Sequence, residues 1–312
     1  MKKVLVIGAT EVDVAALVPQ MPKGNEEFHP TKTTTRVGGD GFLCARVFHQ
    51  MNMPFELLTV KGSGTNGDMA GSGLVELGVI AKTTEEIHGS SYTLIDENGD
   101  CAKMVLPSGE YMFEPKWIEE LNPDDYSYVF LSSELAYNDS FNELVEKLRP
   151  FKGRIVVELG DKGCTLDLYQ QELLFDLKPI LHMTPLHSLQ LLHTNENELL
   201  DKVKELHENT DNAVILYTYD GNSIYIDEEH EVSTNLVELH PVDRSYSSVI
   251  HASSFLCALS SGVTQGTALT FADNYTKTFV EEEGLKLNET DVKQLQHSLA
   301  ESIVGGKINP LS

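Results

Sequence analysis

The stretch HPVDRSYSSVIHASSFLCALSSG, residues 240–262, reads as a strand, a tight turn and a buried helix. A helix N-terminus carries unsatisfied N–H groups and the positive end of the helix dipole. It can therefore hold an anion or stabilise a phosphoryl group in transfer. Turns that do so carry glycines, which let the amides converge. This turn carries none: Tyr246, Ser247, Ser248 and Val249 stand where glycines and an acid would be expected. Ser247 and Ser248 suit a capping role. Tyr246 is expected to avoid φ > 0, and Val249 cannot accept a proton. His251 lies two residues on, nearly opposite Val249 at ~100° per residue. A second polar pair, Asn195 and Glu198 in TNENELL, has the spacing of a helix start, the amide capping and the acid at the third position.

These groups need elements to position them. KKVLVIGAT is a short apolar run ending in glycine, as a buried parallel strand does. In GDGFLCARVFHQMN, Phe42, Leu43, Ala45, Val47 and Phe48 cover most of a helix surface, which predicts a largely buried helix. FELLTVKG predicts a strand, and NGDMAGSGLVELGV a helix that stops at Gly78. SSYTLIDENGDCAKMVL is two β runs around Asn98-Gly99, a strong hairpin signal. From there the strands YSYVFLSS, RIVVELG, LQLLHTN and AVILYTYDG alternate with the helices FNELVEKLRPF, YQQELLFDLKPI and ENELLDKVKELHEN. The β pair SIYIDEEHEVSTNLVEL, the opening stretch and a helical tail follow. Such alternation implies an α/β domain with a mostly parallel sheet covered on both faces. Its ligands are expected at the carboxyl ends of the strands. Segments 10–40 and 90–106 break the alternation and predict a small β lid on a single domain spanning 1–312.

Composition narrows the function classes. Apolar residues make up 41% of the 312 and charged residues 23%, as in ordinary globular chains. No apolar run approaches the ~20 residues of a membrane helix, so no membrane partner is expected. In MKKVLVIGATEVD the apolar run is short, and Glu11 and Asp13 follow at once; a buried first strand fits better than a signal peptide. Cys44, Cys101, Cys164 and Cys257 are widely spaced without a CxxC and read as reduced thiols of a cytoplasmic protein. The net charge of −25 argues against nucleic acid, because no basic stripe exists to meet phosphates.

Taken in order, the motifs resemble the ribokinase-like (PfkB-type) carbohydrate kinases over nearly the whole chain. VGGDGFLCARVFHQMN looks like that family's glycine-glycine signature and helix, and GSGTNGDMAGSGLVELGV like its second glycine-spaced segment. The Asn98-Gly99 hairpin sits where the family has a lid strand pair. TNENELL matches an asparagine-x-x-glutamate motif, and YTYDG resembles a nucleotide loop, though a shortened one. VDRSYSSVIHASSFLCAL aligns without gaps on an Asp-Thr-Thr-Gly-Ala-Gly-Asp run that leads into a buried helix.

The resemblance implies a three-layer α/β/α domain and ATP-dependent phosphorylation of a sugar-like hydroxyl. It implies a sugar or nucleoside-like ligand, ATP and Mg2+, and a monovalent cation; separately, the exposed strand edges of the lid offer a way for two chains to pair as a homodimer. Glu11, Asp13, Gly38, Gly39, Asp40 and Gly41 fall at the substrate side, with Asp40 replacing a lysine and Leu43 an asparagine. Thr218, Gly221 and Asp243 fall at the nucleotide side, Asp243 also where a monovalent cation is seated. Asn195 and Glu198 fall at the metal. Val249 takes the place of the catalytic aspartate, and Tyr246, Ser247 and Ser248 that of the anion-holding turn. Losing a base costs about 10²–10⁴-fold, and losing the anion geometry about 10²–10³-fold. Three readings follow: a ligand-binding or regulatory pseudokinase, an active kinase with a relocated base (His251 or Asp243), or an assembly protein whose cleft Tyr246 and Leu43 fill.

Overall fold

The computed structural model describes residues 2–219, 222–235 and 239–304. The chain opens with β1 (Lys3–Ile7), which runs through the middle of the molecule. Strand side chains alternate in direction, so Val4 and Val6 enter one hydrophobic core and Leu5 and Ile7 the other. Next come β2 (Glu11–Leu17), β3 (Lys32–Gly38), α1 (Asp40–Gln50), β4 (Phe55–Leu58), β5 (Val60–Ser63), α2 (Gly64–Glu76), β6 (Lys82–Ile87), β7 (Ser90–Ile95) and β8 (Cys101–Leu106). The alternating part follows as α3 (Lys116–Glu119), β9 (Tyr126–Ser132), α4 (Phe141–Glu146), β10 (Arg154–Glu158), α5 (Leu168–Phe175), β11 (Ile180–Met183), α6 (Pro185–Leu191), α7 (Leu199–Thr210) and β12 (Ala213–Tyr217). The antiparallel pair β13 (Ser223–Ile226) and β14 (Glu231–Ser233) leads to α8 (Ser247–Ser260), α9 (Gln265–Val280) and α10 (Glu289–Val304).

Among the described residues, eight strands form the main sheet in the order β14-β13-β12-β11-β10-β9-β1-β4. Pairings from β12 to β4 are parallel. The helices α1, α8, α9 and α10 cover one face, and α3 to α7 cover the other. This is the expected three-layer architecture. The expected lid is a separate sheet, β3-β2-β7-β8, with β2 and β7 parallel and the Asn98-Gly99 hairpin joining β7 to β8. No helix among the described residues is long and apolar enough to cross a membrane. Cys44, Cys164 and Cys257 are buried free thiols, and Cys101 is exposed.

Two expectations fail locally. LQLLHTN is not a strand: Leu189–Leu191 end α6 and the rest is turn. The real strand is β11, which starts nine residues earlier, and Thr184 caps the next helix with Pro185 at its first position, a combination that starts helices. The strand expected ahead of the turn at 241–246 is also missing; residues 239–246 are irregular.

At the site end of the sheet the backbone packs very closely. A Cβ on Gly41 of α1 would lie 2.2 Å from the Gly8 carbonyl oxygen, just past β1. Gly39 caps α1 at φ 87°, a conformation that glycine adopts freely. Gly41→Ala should therefore cost about 1–3 kcal/mol from overpacking, read as a lowered Tm. Gly24→Ala, with nothing within 4 Å of the new atom, should leave the Tm nearly unchanged. Equal Tm values for the two variants would refute the close-approach account.

Candidate active site

The turn before α8 is built around Asp243. Its Oδ1 accepts from the Ser245 amide at 2.8 Å and the Ser245 hydroxyl at 2.5 Å, closing a short side-chain turn. Arg36 of β3 reaches across from the lid. Its Nε donates to Asp13 Oδ2 at 2.9 Å, one terminal nitrogen to Asp243 Oδ2 at 2.5 Å and the other to Ser245 Oγ at 2.7 Å. Asp13 is fully buried and also accepts from Ser91 and Thr93. Its oxygens are thus committed to the protein, and it does not line the cleft. Asp243 likewise holds a guanidinium where a monovalent cation was expected.

Tyr246 corrects the sequence reading. It sits in the left-handed region at φ 63°, ψ 7°, as the residue capping α8, a conformation that costs a side-chain-bearing residue about 1–2 kcal/mol. What holds it there is its own side chain. The hydroxyl donates to Glu11 Oε2 at 3.1 Å, and Lys103 Nζ of β8 lies 4.2 Å from the ring centroid. The same hydroxyl is 2.8 Å from where a Cβ on Gly38 would sit, so the ring fills the space over the glycine-glycine segment. Neither serine caps α8: the Ser248 hydroxyl donates to Glu158 Oε1 at 2.7 Å, and the Ser247 amide donates to the Arg244 carbonyl. Val249 is 2% exposed, packs into the α8 core and borders the cleft.

The cleft lies between the lid strand β8, the start of α8 and the carboxyl ends of β9, β10 and β11, with a volume of about 370 Å³. Of the expected substrate residues, Glu11 and Asp40 line it. Glu11 accepts from Lys103 Nζ at 2.7 Å and from Tyr111 at 2.6 Å. Burial pushes its carboxyl up, but the Lys103 charge and these hydrogen bonds outweigh that and hold it below the usual range. Asp40 opens α1 and accepts from Ser132 Oγ at 2.5 Å; burial pushes its carboxyl up more than this hydrogen bond lowers it, and the Glu11 charge adds to the rise. Leu43 is buried in the core and does not reach the cleft.

The sequence reading missed most of the remaining wall. Glu158 ends β10, Glu134 follows β9, and Asp161 follows β10. Burial, then the Asp40 charge, pushes Glu134 up to about 8 and raises Glu158 well above the carboxylate range. Asp161 pairs with His187 Nε2 at 3.3 Å, and that hydrogen bond holds its carboxyl low. Arg244 borders the mouth, paired to Asp100 at 3.1 Å. The signal that could have found these groups is position alone, since each follows the carboxyl end of a strand or helps to close over it.

The expected nucleotide and metal residues are not gathered here. Asn195 and Glu198 are exposed on the turn before α7, with Glu198 as the residue preceding that helix and Asn195 Oδ1 accepting from the Asn197 amide. The strand-to-helix turn at the carboxyl end of β11 is Thr184–His187 instead. Thr218 bonds to the Asn222 carbonyl and does not line the cleft; Gly221 lies outside the described residues. Among the described residues, no group of three or more His, Cys, Asp or Glu side chains is arranged to hold a metal ion. His251 is fully buried, on His182 at 2.9 Å and Asp273 at 3.0 Å, away from the cleft.

No protein-family model matches the sequence, and no curated protein is significantly similar to it. Solved structures do match. The chain superposes on ribokinase from Giardia lamblia with a TM-score of 0.80 at 17% identity, covering 96% of this chain and 100% of that one. It superposes on Arabidopsis thaliana ribokinase, a complex with ribose and ATP, with a TM-score of 0.74 at 16% identity, covering 95% and 98%. The nucleoside kinase of Methanocaldococcus jannaschii gives 0.71 at 15% identity, covering 95% and 98%.

The Arg36 cluster makes a stability prediction. Arg36→Met leaves Asp13 and Asp243 buried without their cation, which should cost about 3–5 kcal/mol in denaturant unfolding. Wild-type stability in that variant would refute the ion-pair account.

Proposed function

The chain has the ribokinase fold, and we propose that it is a homologue of the sugar and nucleoside kinases that binds a small ligand under the lid and transfers phosphate poorly or not at all. The observation that carries this reading is the first turn of α8. Val249 borders the cleft where a proton acceptor is needed, and Tyr246 occupies the space over Gly38. Charge argues in the same direction. Polyphosphate needs free cations, but Lys103 and Arg244 are paired to Glu11 and Asp100, while Asp40, Glu134, Glu158 and Asp161 also line the cleft. These residues do not fit a magnesium nucleotide, and Asn195 and Glu198 stand elsewhere. A cavity of about 370 Å³ persists, within the range of small-molecule sites. That favours a ligand over a purely structural role.

Glu158 favours a second reading. It is a carboxyl beside the start of α8, hydrogen-bonded to Ser248, and burial, then the Asp40 charge, raises its proton affinity, which makes it a stronger base when ionised. It could serve an active kinase as a relocated base; His251 and Asp243, both committed to buried partners, are poorer candidates. The two readings part in a turnover assay with ATP, Mg2+ and a panel of sugars and nucleosides. The expected result is no ATP consumption above background, with calorimetry finding at least one ligand. A kcat near the ordinary ~10 s⁻¹ that disappears in Glu158→Gln would establish the second reading and overturn the first.

The reading extends to a pair of chains. On the outer face of the lid Tyr92, Met104 and Leu106 are exposed, with Tyr92 directly opposite Met104 across β7 and β8. Light scattering should find a dimer that Met104→Lys converts to monomer; a monomeric wild type would remove the proposal.

A further inference from the structure

Asp13 of β2, with Asp243 and Ser245 of the turn before α8, holds one guanidinium, that of Arg36 on β3. Each of its three nitrogens donates to a different acceptor, so the planar fork is matched atom by atom. The Ser245 hydroxyl completes the proton count: it donates to Asp243 Oδ1 and accepts from Arg36. Asp13 is 0% exposed and Asp243 4%. Two carboxylates at that depth require a cation.

The resemblance placed a dissolved monovalent cation at Asp243, but the oxygens around the turn are committed otherwise. Asp243 Oδ1 accepts from the Ser245 amide and hydroxyl, and its Oδ2 from Arg36. Asp13 Oδ1 accepts from Ser91 and Thr93, and its Oδ2 from Arg36. The Val280 carbonyl, at the end of α9, accepts from the amides of Val242 and Asp243 at 2.7 and 3.1 Å. A dissolved cation gives up its hydration shell only to a set of oxygens that replaces it. These oxygens meet N–H and O–H donors instead, so the residues present fit a guanidinium and do not fit a bare ion.

We propose that Asp13, Asp243 and Ser245 form a guanidinium-recognition site that Arg36 fills from within the chain, and that the junction of lid and turn needs no dissolved metal cation for its stability. This inference stands apart from the ligand-binding reading, because it does not depend on what the cleft binds. A second cavity makes the site reachable. About 210 Å³ of space lies between β2, β3, the turn at 242–243 and residues 283–284, and Arg36 and Asp243 both line it. Cutting Arg36 back to alanine joins the vacated volume to this space. A free guanidinium ion can then enter and meet the same three acceptors.

Thermal unfolding tests this without knowledge of the cleft ligand. The wild type should keep one Tm when K+, Na+ and choline are exchanged at constant ionic strength. Arg36→Ala should have a lower Tm. Guanidinium chloride, at concentrations too low to unfold the wild type, should raise that Tm in the saturable way that mass action gives a ligand of the folded state. The same additions should not raise the Tm of the wild type, whose site is filled. If Arg36→Ala does not fold alone, recovery of its circular dichroism on refolding with guanidinium is the equivalent measurement. A wild-type Tm that rises saturably with K+ or Na+ over choline would overturn the proposal. So would an Arg36→Ala response to guanidinium no larger than its response to K+, or a variant in which guanidinium restores neither Tm nor folding. None of these results would alter the non-kinase reading, which stands on ATP turnover.

Discussion

One guanidinium ties this molecule together at its functional end. Arg36 comes from the lid, Asp13 from the lid strand beside it, and Asp243 from the turn that feeds α8. All three are largely or wholly removed from water, so none of the charges is stable without the others. The lid is thereby fastened to the turn from within the protein. In a cleft built for exchange with solvent, carboxylates at such places remain free for a ligand or an ion. Here the protein supplies its own cation.

Tyr246 follows from that arrangement. The turn that Arg36 pins down leaves the residue before α8 in the left-handed region, where glycine would be strain-free. The tyrosine stays because its hydroxyl and ring are held by Glu11 and Lys103, both reached through the lid. Strain in the backbone is offset by contacts that also occupy the space over Gly38. The start of α8 thus borders a cleft whose lining includes four acids besides Glu11 and Asp100. Burial, and after it the Asp40 charge, raises the proton affinity of Glu134 and Glu158, and whatever negative charge the wall carries disfavours phosphate.

Glu158 keeps the chemistry of the site open to test. Its position beside Ser248 and its raised proton affinity are what a displaced base would require. Lys103 and Arg244, the Lys and Arg residues that line the cleft among the described residues, are already paired and so are poorly placed to receive the phosphate that such a base would serve. The balance between the two readings is therefore electrostatic and not a matter of fold.

The sequence by itself determined the layered α/β architecture, the lid and the buried character of α1 and α8, because those rest on local periodicity and on the Asn98-Gly99 hairpin. It also determined that Val249 cannot accept a proton, which is a property of the side chain alone. It misplaced β11, because a short apolar run fits helix and strand equally well until Thr184 and Pro185 are seen to start a helix. That shift carried Asn195 and Glu198 away from the sheet edge and hid His187. Only the tertiary structure decided that Asp13 and Asp243 are both paired to Arg36, that Tyr246 tolerates a positive φ, and that Glu134, Glu158 and Asp161 share one wall. Those facts depend on which side chains meet across distant parts of the chain. Charge, burial and hydrogen bonding at such meetings are set by three-dimensional distance, which residue type and spacing do not encode.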